Sequence, residues 1–251
     1  MSSLNFLIAP DFAPEHFAGW HMLGTWLQRK SGLGLHLLTP ASAQEQAAKL
    51  AQDAVDLLYA NPFDAAKLIH ELGYRALARP LDKPDEMVIA TAANSPANCV
   101  EDLRPGCRIA LTDNHDVRLI GLRLLEPADL TAVDIAWTVT ENYQAAARMA
   151  IKGEVEAAFF MAESYAALSR LTRTQLKPLI ESALGDIHHV LLAHPRVPAD
   201  VVSSFSQALL GMGESDEGKA VLTELGLPAG FASMSAEQAE FMIDLMDTLL
   251  D

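Results

Sequence analysis

The run Tyr59-Ala60-Asn61-Pro62-Phe63 places a phenol, a carboxamide and an aromatic ring where an apolar stretch gives way to a proline-opened helix. In α/β proteins, ligands commonly bind at such strand-to-helix junctions. Two readings stand side by side. Tyr59 could close over a ligand while Asn61 hydrogen-bonds it, or Tyr59 could end a core strand and Asn61 cap the helix. Pro10, Asp11 and Phe12 follow the first apolar run in the same way, and either line a binding site or form a surface loop. The eight histidines give no metal pattern: His16 and His21 are five apart, His188 and His189 are adjacent, and neither His-Glu-x-x-His nor Cys-x-x-Cys occurs. Gly-x-Ser-x-Gly, a glycine-rich phosphate loop ending in Lys-Ser/Thr and a dinucleotide fingerprint are also missing. The residues point to binding without a metal, a cofactor or a catalytic set.

The elements that must position these groups alternate between strand and helix, the pattern of an α/β sheet. Strands are expected near 5–9, 35–38 and 55–59, with helices over 15–30 and 42–52 and another opening at Asn61-Pro62. Residues 79–85, with two prolines and four charges, read as a connector. Beyond it the alternation restarts: strands near 87–92, 108–111, 135–139 and 157–160, helices over 115–125, 141–151 and 165–170. Residues 179–185 then lead the chain back to a strand at 190–192, a helix from Pro198-Ala199-Asp200 and a second helix at Asp216-Glu217-Gly218. His188 and His189 flank that strand and point to opposite faces.

Half of the 251 residues are apolar, enough for one large core or two modest ones. The net charge is −15, with a pI of about 4.8. That charge repels nucleic-acid phosphate and anionic membrane surfaces. No apolar run approaches the roughly 20 residues of a membrane-crossing helix, so no membrane insertion is expected. Met1-Ser2-Ser3 leads directly into an apolar run with no basic region before it. The expected location is cytoplasmic if this N-terminus is native and periplasmic if a signal peptide was removed. Cys99 and Cys107, with seven residues between them, read as two free buried thiols, with a disulfide as the alternative.

Three stretches carry a resemblance. Residues 188–227 run strand, His194-Pro195-Arg196-Val197-Pro198-Ala199, helix, then Asp216-Glu217-Gly218-Lys219. Val55-Asp56-Leu57-Leu58-Tyr59-Ala60-Asn61-Pro62 is the second stretch and Gly153-Glu154-Val155-Glu156-Ala157-Ala158 the third. Together they resemble the PhnD-like phosphate/phosphite/phosphonate-binding proteins of ABC transporters. The resemblance implies an α/β, two-lobed type 2 periplasmic binding protein fold with a central inter-lobe cleft and hinge closure. Lobe I would take 1–82 and 185–251, and lobe II 86–181. It also implies a small-molecule ligand, an ABC-transporter permease as partner, and no catalysis. A cytoplasmic ligand sensor, or an enzyme on the same two-lobed fold, is the alternative. Such proteins receive anion oxygens at a helix start in lobe II, which here would be Thr112-Asp113-Asn114-His115-Asp116-Val117. That maps ligand contacts onto Asn114, His115 and Asp116, with Glu163 as an acidic contact beside Met161. Asp113 and Asp116 oppose an anion there unless one is turned away or neutralised by Arg118. The alternative is that Asp113 or Asn114 only caps the helix.

Overall fold

Short apolar runs closed by Pro, Gly, Asn or Ser become strands here, and longer runs with helical spacing become the helices that cover them. A computed structural model describes residues 3–10, 12, 14–52, 54–183 and 185–250; the side chains of residues 14, 115, 249 and 250 lie outside that description. The chain divides into two compact units, residues 1–84 with 186–246 and residues 85–185 with 247–251. The sequence expectation assigned all of 185–251 to lobe I, whereas 247–251 group with the second unit.

The first unit opens with β1 (Leu4–Ile8), α1 (Phe17–Ser31), β2 (Leu35–Leu38), α2 (Ala43–Ala51), β3 (Leu57–Ala60), α3 (Pro62–Leu72) and β4 (Arg75–Pro80). The second unit follows as β5 (Met87–Ala92), β6 (Cys107–Thr112), α4 (His115–Leu124), β7 (Ile135–Thr140), α5 (Tyr143–Ile151) and β8 (Ala157–Met161). It ends with α6 (Ala162–Ala167), α7 (Arg170–Arg173) and β9 (Leu176–Glu181). Then β10 (Val190–Ala193), α8 (Ala199–Leu210), α9 (Asp216–Glu224) and β11 (Phe231–Ser233) return to the first unit, and α10 (Ala236–Leu250) closes the chain.

The first sheet has the order β11-β4-β10-β3-β1-β2. Strands β2, β1 and β3 are parallel, while β10 runs antiparallel between β3 and β4. Every residue of β3 and β10 is buried, as expected for central strands covered on both faces. On one face Phe6, Ile8, Leu57 and Leu191 pack with Trp20, Leu23 and Leu27 of α1 and Phe205 and Leu209 of α8. At fully buried sites each such side chain contributes about 1.5–3 kcal/mol of transfer free energy. Two of the family-like stretches are tied together at the amino edge of this sheet. Arg196 donates from Nε to Asp56 Oδ1 at 2.9 Å and from Nη2 to the Val55 carbonyl at 2.9 Å. The other Asp56 oxygen accepts the Asn5 backbone N–H at 2.8 Å.

The second sheet has the order β7-β6-β8-β5-β9, with β7, β6 and β8 parallel and β5 antiparallel to both its neighbours. Its side chains alternate between two cores. Ile89, Ile109, Leu111 and Phe159 face one, and Val88, Ala90, Ala110, Ala158 and Phe160 the other. Gly121 in α4 is required by close approach, since a Cβ there would lie 2.2 Å from the Phe159 ring.

Four expectations are corrected. Residues 79–80 are strand and not connector: Pro80 is the last residue of β4, opposite Phe231, where its missing N–H is tolerated. Residues 176–181 form β9 instead of a return loop. The helix expected over 165–170 breaks at Leu168, and Ser169 caps a new short helix by accepting from the Thr172 N–H. Cys107 is buried, but Cys99 is exposed, and both are free.

Candidate functional site

In the first unit, β2, β1 and β3 run parallel, so the helices that follow β2 and β3 start at the same edge of the sheet. Asn61 ends the extended stretch with φ −63° and ψ 161°, and Pro62 opens α3 without an N–H to leave unsatisfied. Asn61 Oδ1 accepts the Asp64 backbone N–H at 2.8 Å, and its Nδ2 donates to Asp64 Oδ2 at 3.0 Å. The same Oδ2 accepts from Gln46 Nε2 of α2 at 2.5 Å. Gln46 is only 3 % exposed, and its Oε1 has no donor among the described residues. Sequence reasoning missed Gln46 and Asp64. The signal available was Asn61-Pro62-x-Asp64, an N-cap followed three residues later by an acid.

Tyr59 is 5 % exposed and lies in an aromatic series. Its ring stacks on His189 at 5.0 Å and meets Trp20 at 4.7 Å, and Phe12 lies 5.9 Å from Trp20. Tyr59 thus lies in the core strand β3, and Asn61 caps α3. Trp20 Nε1–H, fully buried, has no acceptor among the described residues. Asp11 lies outside the described residues.

In the second unit the parallel trio is β7, β6 and β8, so α5, α4 and α6 also start at a common edge. Asn142 caps α5 by accepting the Ala145 N–H at 2.9 Å, and Asn114 caps α4 by accepting the Val117 N–H at 3.0 Å. Asn114 Nδ2 donates to Met161 Sδ at 3.6 Å, which brings the ends of β6 and β8 together. Asp113 is exposed, while Asp116, in the first turn of α4, is 7 % exposed. His115 is the first residue of α4. Glu163 is exposed in the first turn of α6. Arg118 neutralises neither aspartate by an ion pair among the described residues; its guanidinium lies 4.7 Å over the Trp137 ring. The Asn142 cap was also missed by sequence reasoning, although an Asn just before a helical run is a legible start signal.

Each helix start at this edge thus has an acid in or beside its first turn: Glu141, Asp116 and Glu163. No Lys or Arg occurs in residues 112–117, 140–145 or 160–165. At the opposite edge of the same sheet a cavity of about 810 Å³ is lined by Thr91, Cys107, Arg108 and Glu156 among others. Three of its polar residues are bonded together: Thr91 donates to the Glu156 carbonyl, and Arg108 pairs with the Glu156 carboxylate at 2.6 Å. That guanidinium holds the Glu156 carboxyl below its usual range. Among the described residues no His, Cys, Asp and Glu cluster could hold a metal ion, and no helix is long and apolar enough to cross a membrane.

The fold is shared with solved binding proteins. A binding protein component of an ABC phosphonate transporter from Pseudomonas aeruginosa superposes with a TM-score of 0.79 at 15% identity, covering 98% of this chain and 86% of that one. PhnD1 from Prochlorococcus marinus, solved in complex with methylphosphonate, gives 0.80 at 12% identity, with 99% and 98% covered. The periplasmic aliphatic sulphonate binding protein SsuA from Escherichia coli gives 0.67 at 19% identity, with 99% and 92% covered. At these identities the likeness establishes the mixed α/β, type 2 periplasmic binding protein fold alone. No curated protein sequence matches the chain. The family described as ABC transporter, phosphonate, periplasmic substrate-binding protein matches residues 6–239. That family is the substrate-binding component of a transporter and not an enzyme. With its fold and nearly its whole length accounted for, this chain belongs to the phosphonate-type substrate-binding proteins of ABC transporters.

Proposed function

We propose that the chain works in the periplasm as the solute receptor of an ABC importer, binding a small molecule and handing it unchanged to a permease. The observation that supports this most is the family match over residues 6–239. Binding is assigned to the helix starts at the two parallel edges, with Tyr59 and Asn61 in the first unit and Asn114, Asp116 and Glu163 in the second; Asp11 and His115 are added from the sequence alone. Backbone N–H groups at the starts of α3 and α4 supply donors, and the capping Asn residues hold those starts rigid. Catalysis needs an activated nucleophile or a positioned acid–base pair, and the reading requires neither.

A thermal-shift screen of oxyanions, amino acids, small carboxylates and amines tests the reading, because a ligand that binds only the native state raises the melting temperature. A compound that stabilises the protein and is recovered chemically unchanged after prolonged incubation is the expected result. Turnover of the hit, or no stabilising compound at all, would overturn it. Fractionation of the source cells should place the protein in the periplasmic extract; recovery with cytosolic markers would count against the location.

A further inference from the structure

We propose that the second unit carries a further ligand site, away from the helix starts and built for an organic anion with an apolar body, such as a medium-chain carboxylate. Its place follows from the sheet. β5 runs antiparallel to β8 and β6 parallel to it, so the chain leaves β5 and enters β6 at one edge, stepping over the start of β8. Residues 93–106 make that step, a connection well beyond the roughly four to six residues usual in compact domains. Between it and the turn before β8 lies the cavity of about 810 Å³, a volume typical of small-molecule sites, and all of its lining belongs to this one unit. The helix starts lie at the other end of the strands, roughly 17 Å away along the six residues of β6.

Buried Ala97, Leu103, Ala150 and Val155 give the cavity an apolar surface, which a hydrocarbon chain covers better than water does. Its charged groups are three cations, Arg104, Arg108 and Lys152, against two acids, Asp102 and Glu156, a positive excess in a chain of net charge −15. Both acids are committed. Glu156 holds Arg108 through both oxygens, accepting from Nε at 3.2 Å and from Nη2 at 2.6 Å. Asp102 Oδ2 accepts the backbone N–H groups of Asn98 at 2.7 Å and Cys99 at 3.4 Å. Lys152 reaches Glu154, which is outside the lining, at 3.7 Å. Arg104 donates from Nη1 to the Glu101 and Leu103 carbonyls and attracts Asp102 without forming an ion pair among the described residues. Its Nε and Nη2 remain, and these two N–H groups form the side of the guanidinium that takes a carboxylate by both oxygens, as Arg108 takes Glu156. A bare acetate or phosphate would leave most of the cavity to water, and a neutral chain would leave that fork unused.

Calorimetric titration of the intact protein with octanoate, octanol and acetate tests the site. Octanoate should bind about tenfold or more tightly than octanol, which lacks the charge, and than acetate, which lacks the chain. Arg104→Glu should weaken octanoate about tenfold and leave octanol unchanged. Ala97→Phe, which fills the cavity, should abolish the binding of both. Octanol or acetate binding as tightly as octanoate, no saturable binding of octanoate, or an unchanged octanoate affinity in Arg104→Glu would each overturn the proposal. Octanoate binding that survives in a folded Ala97→Phe variant would overturn it too. Arg104 is exposed, so its variant should fold and decide the matter even where Ala97→Phe does not fold.

Discussion

Replacing Asp56 by alanine removes the acceptor for two groups at once. The Asn5 backbone N–H loses its partner at the start of β1, and Arg196 loses the carboxylate that holds its Nε. A part-buried N–H left unsatisfied costs about 1–2 kcal/mol. The Arg196 loss is smaller, because its side chain is 35% exposed and keeps the Val55 carbonyl, so water recovers most of the difference and about 1 kcal/mol remains. The sum is about 2–3 kcal/mol, which for a chain of this size lowers the melting temperature by roughly 5–10 °C. Asp56→Asn retains an oxygen for the Asn5 N–H and should cost only about 1 kcal/mol. Arg196→Ala removes the same pair from the other side. In a double-mutant cycle the two alanine variants should therefore couple by about 1 kcal/mol. Trp20 and Trp26 belong to the first unit and only Trp137 to the second, so urea unfolding followed by tryptophan fluorescence reports mainly on the unit that holds this network. Additive costs for the two alanine variants, or an Asp56→Ala variant as stable as Asp56→Asn, would refute the reasoning.

Gly121→Ala gains about 1 kcal/mol of helix propensity but forces a methyl into the Phe159 ring, so a net loss of about 1–2 kcal/mol is expected in urea denaturation; an unchanged midpoint would contradict the close approach. Hydrogen bonding to Glu101 pushes the exposed Cys99 thiol up, and burial does the same to Cys107. A disulfide reagent near neutral pH should therefore modify Cys99 more slowly than a free thiol and Cys107 only after denaturation; two fast thiols in the native protein would be inconsistent. The Arg108 guanidinium depresses the Glu156 carboxyl, so the pair adds stability above the ordinary glutamate range and loses it as pH falls through the lower folded value. The melting-temperature deficit of Glu156→Gln should thus be present at neutral pH and close below about pH 4; a deficit that grows in acid would reverse the sign.

Strands β1, β3, β5 and β6 were legible because their apolar runs are bounded by turn residues, and β10 because His194-Pro195 ends it sharply. Three strands were missed: β11 is only three residues long, and β4 and β9 carry Arg75, Arg79 and Lys177 together with Pro80 and Pro178, so their composition resembles loop and only pairing makes them strand. α10 has helical composition throughout, but Ser235 opens it after a stretch with no strand pattern, and the sequence reading stopped before it. At the candidate site, the starts of α3 and α4 could be placed from Asn61-Pro62 and from Asn114. The Gln46–Asp64 bond could not, because it joins residues on different helices and depends on packing. The direction of Asp116 likewise follows from its burial and not from its spacing.

The place of β10 has a consequence for biosynthesis. β4 pairs only with β10 and β11, so when residues 75–80 leave the ribosome they have no strand to bond. Their partner is translated roughly a hundred residues later, a delay on the order of ten seconds. β3 waits as well, paired with β1 on one side and open on the other. Residues 85–185 form a contiguous segment whose strands pair only among themselves, and they can fold during that interval. The first sheet therefore finishes after the second although it begins first. Throughout the delay it presents the unpaired edge of β3, a strand wholly buried in the finished fold, the kind of surface that pairs with other chains. A nascent chain stalled before residue 190 should be an aggregation-prone intermediate and a client for chaperones, while one released past β11 should not.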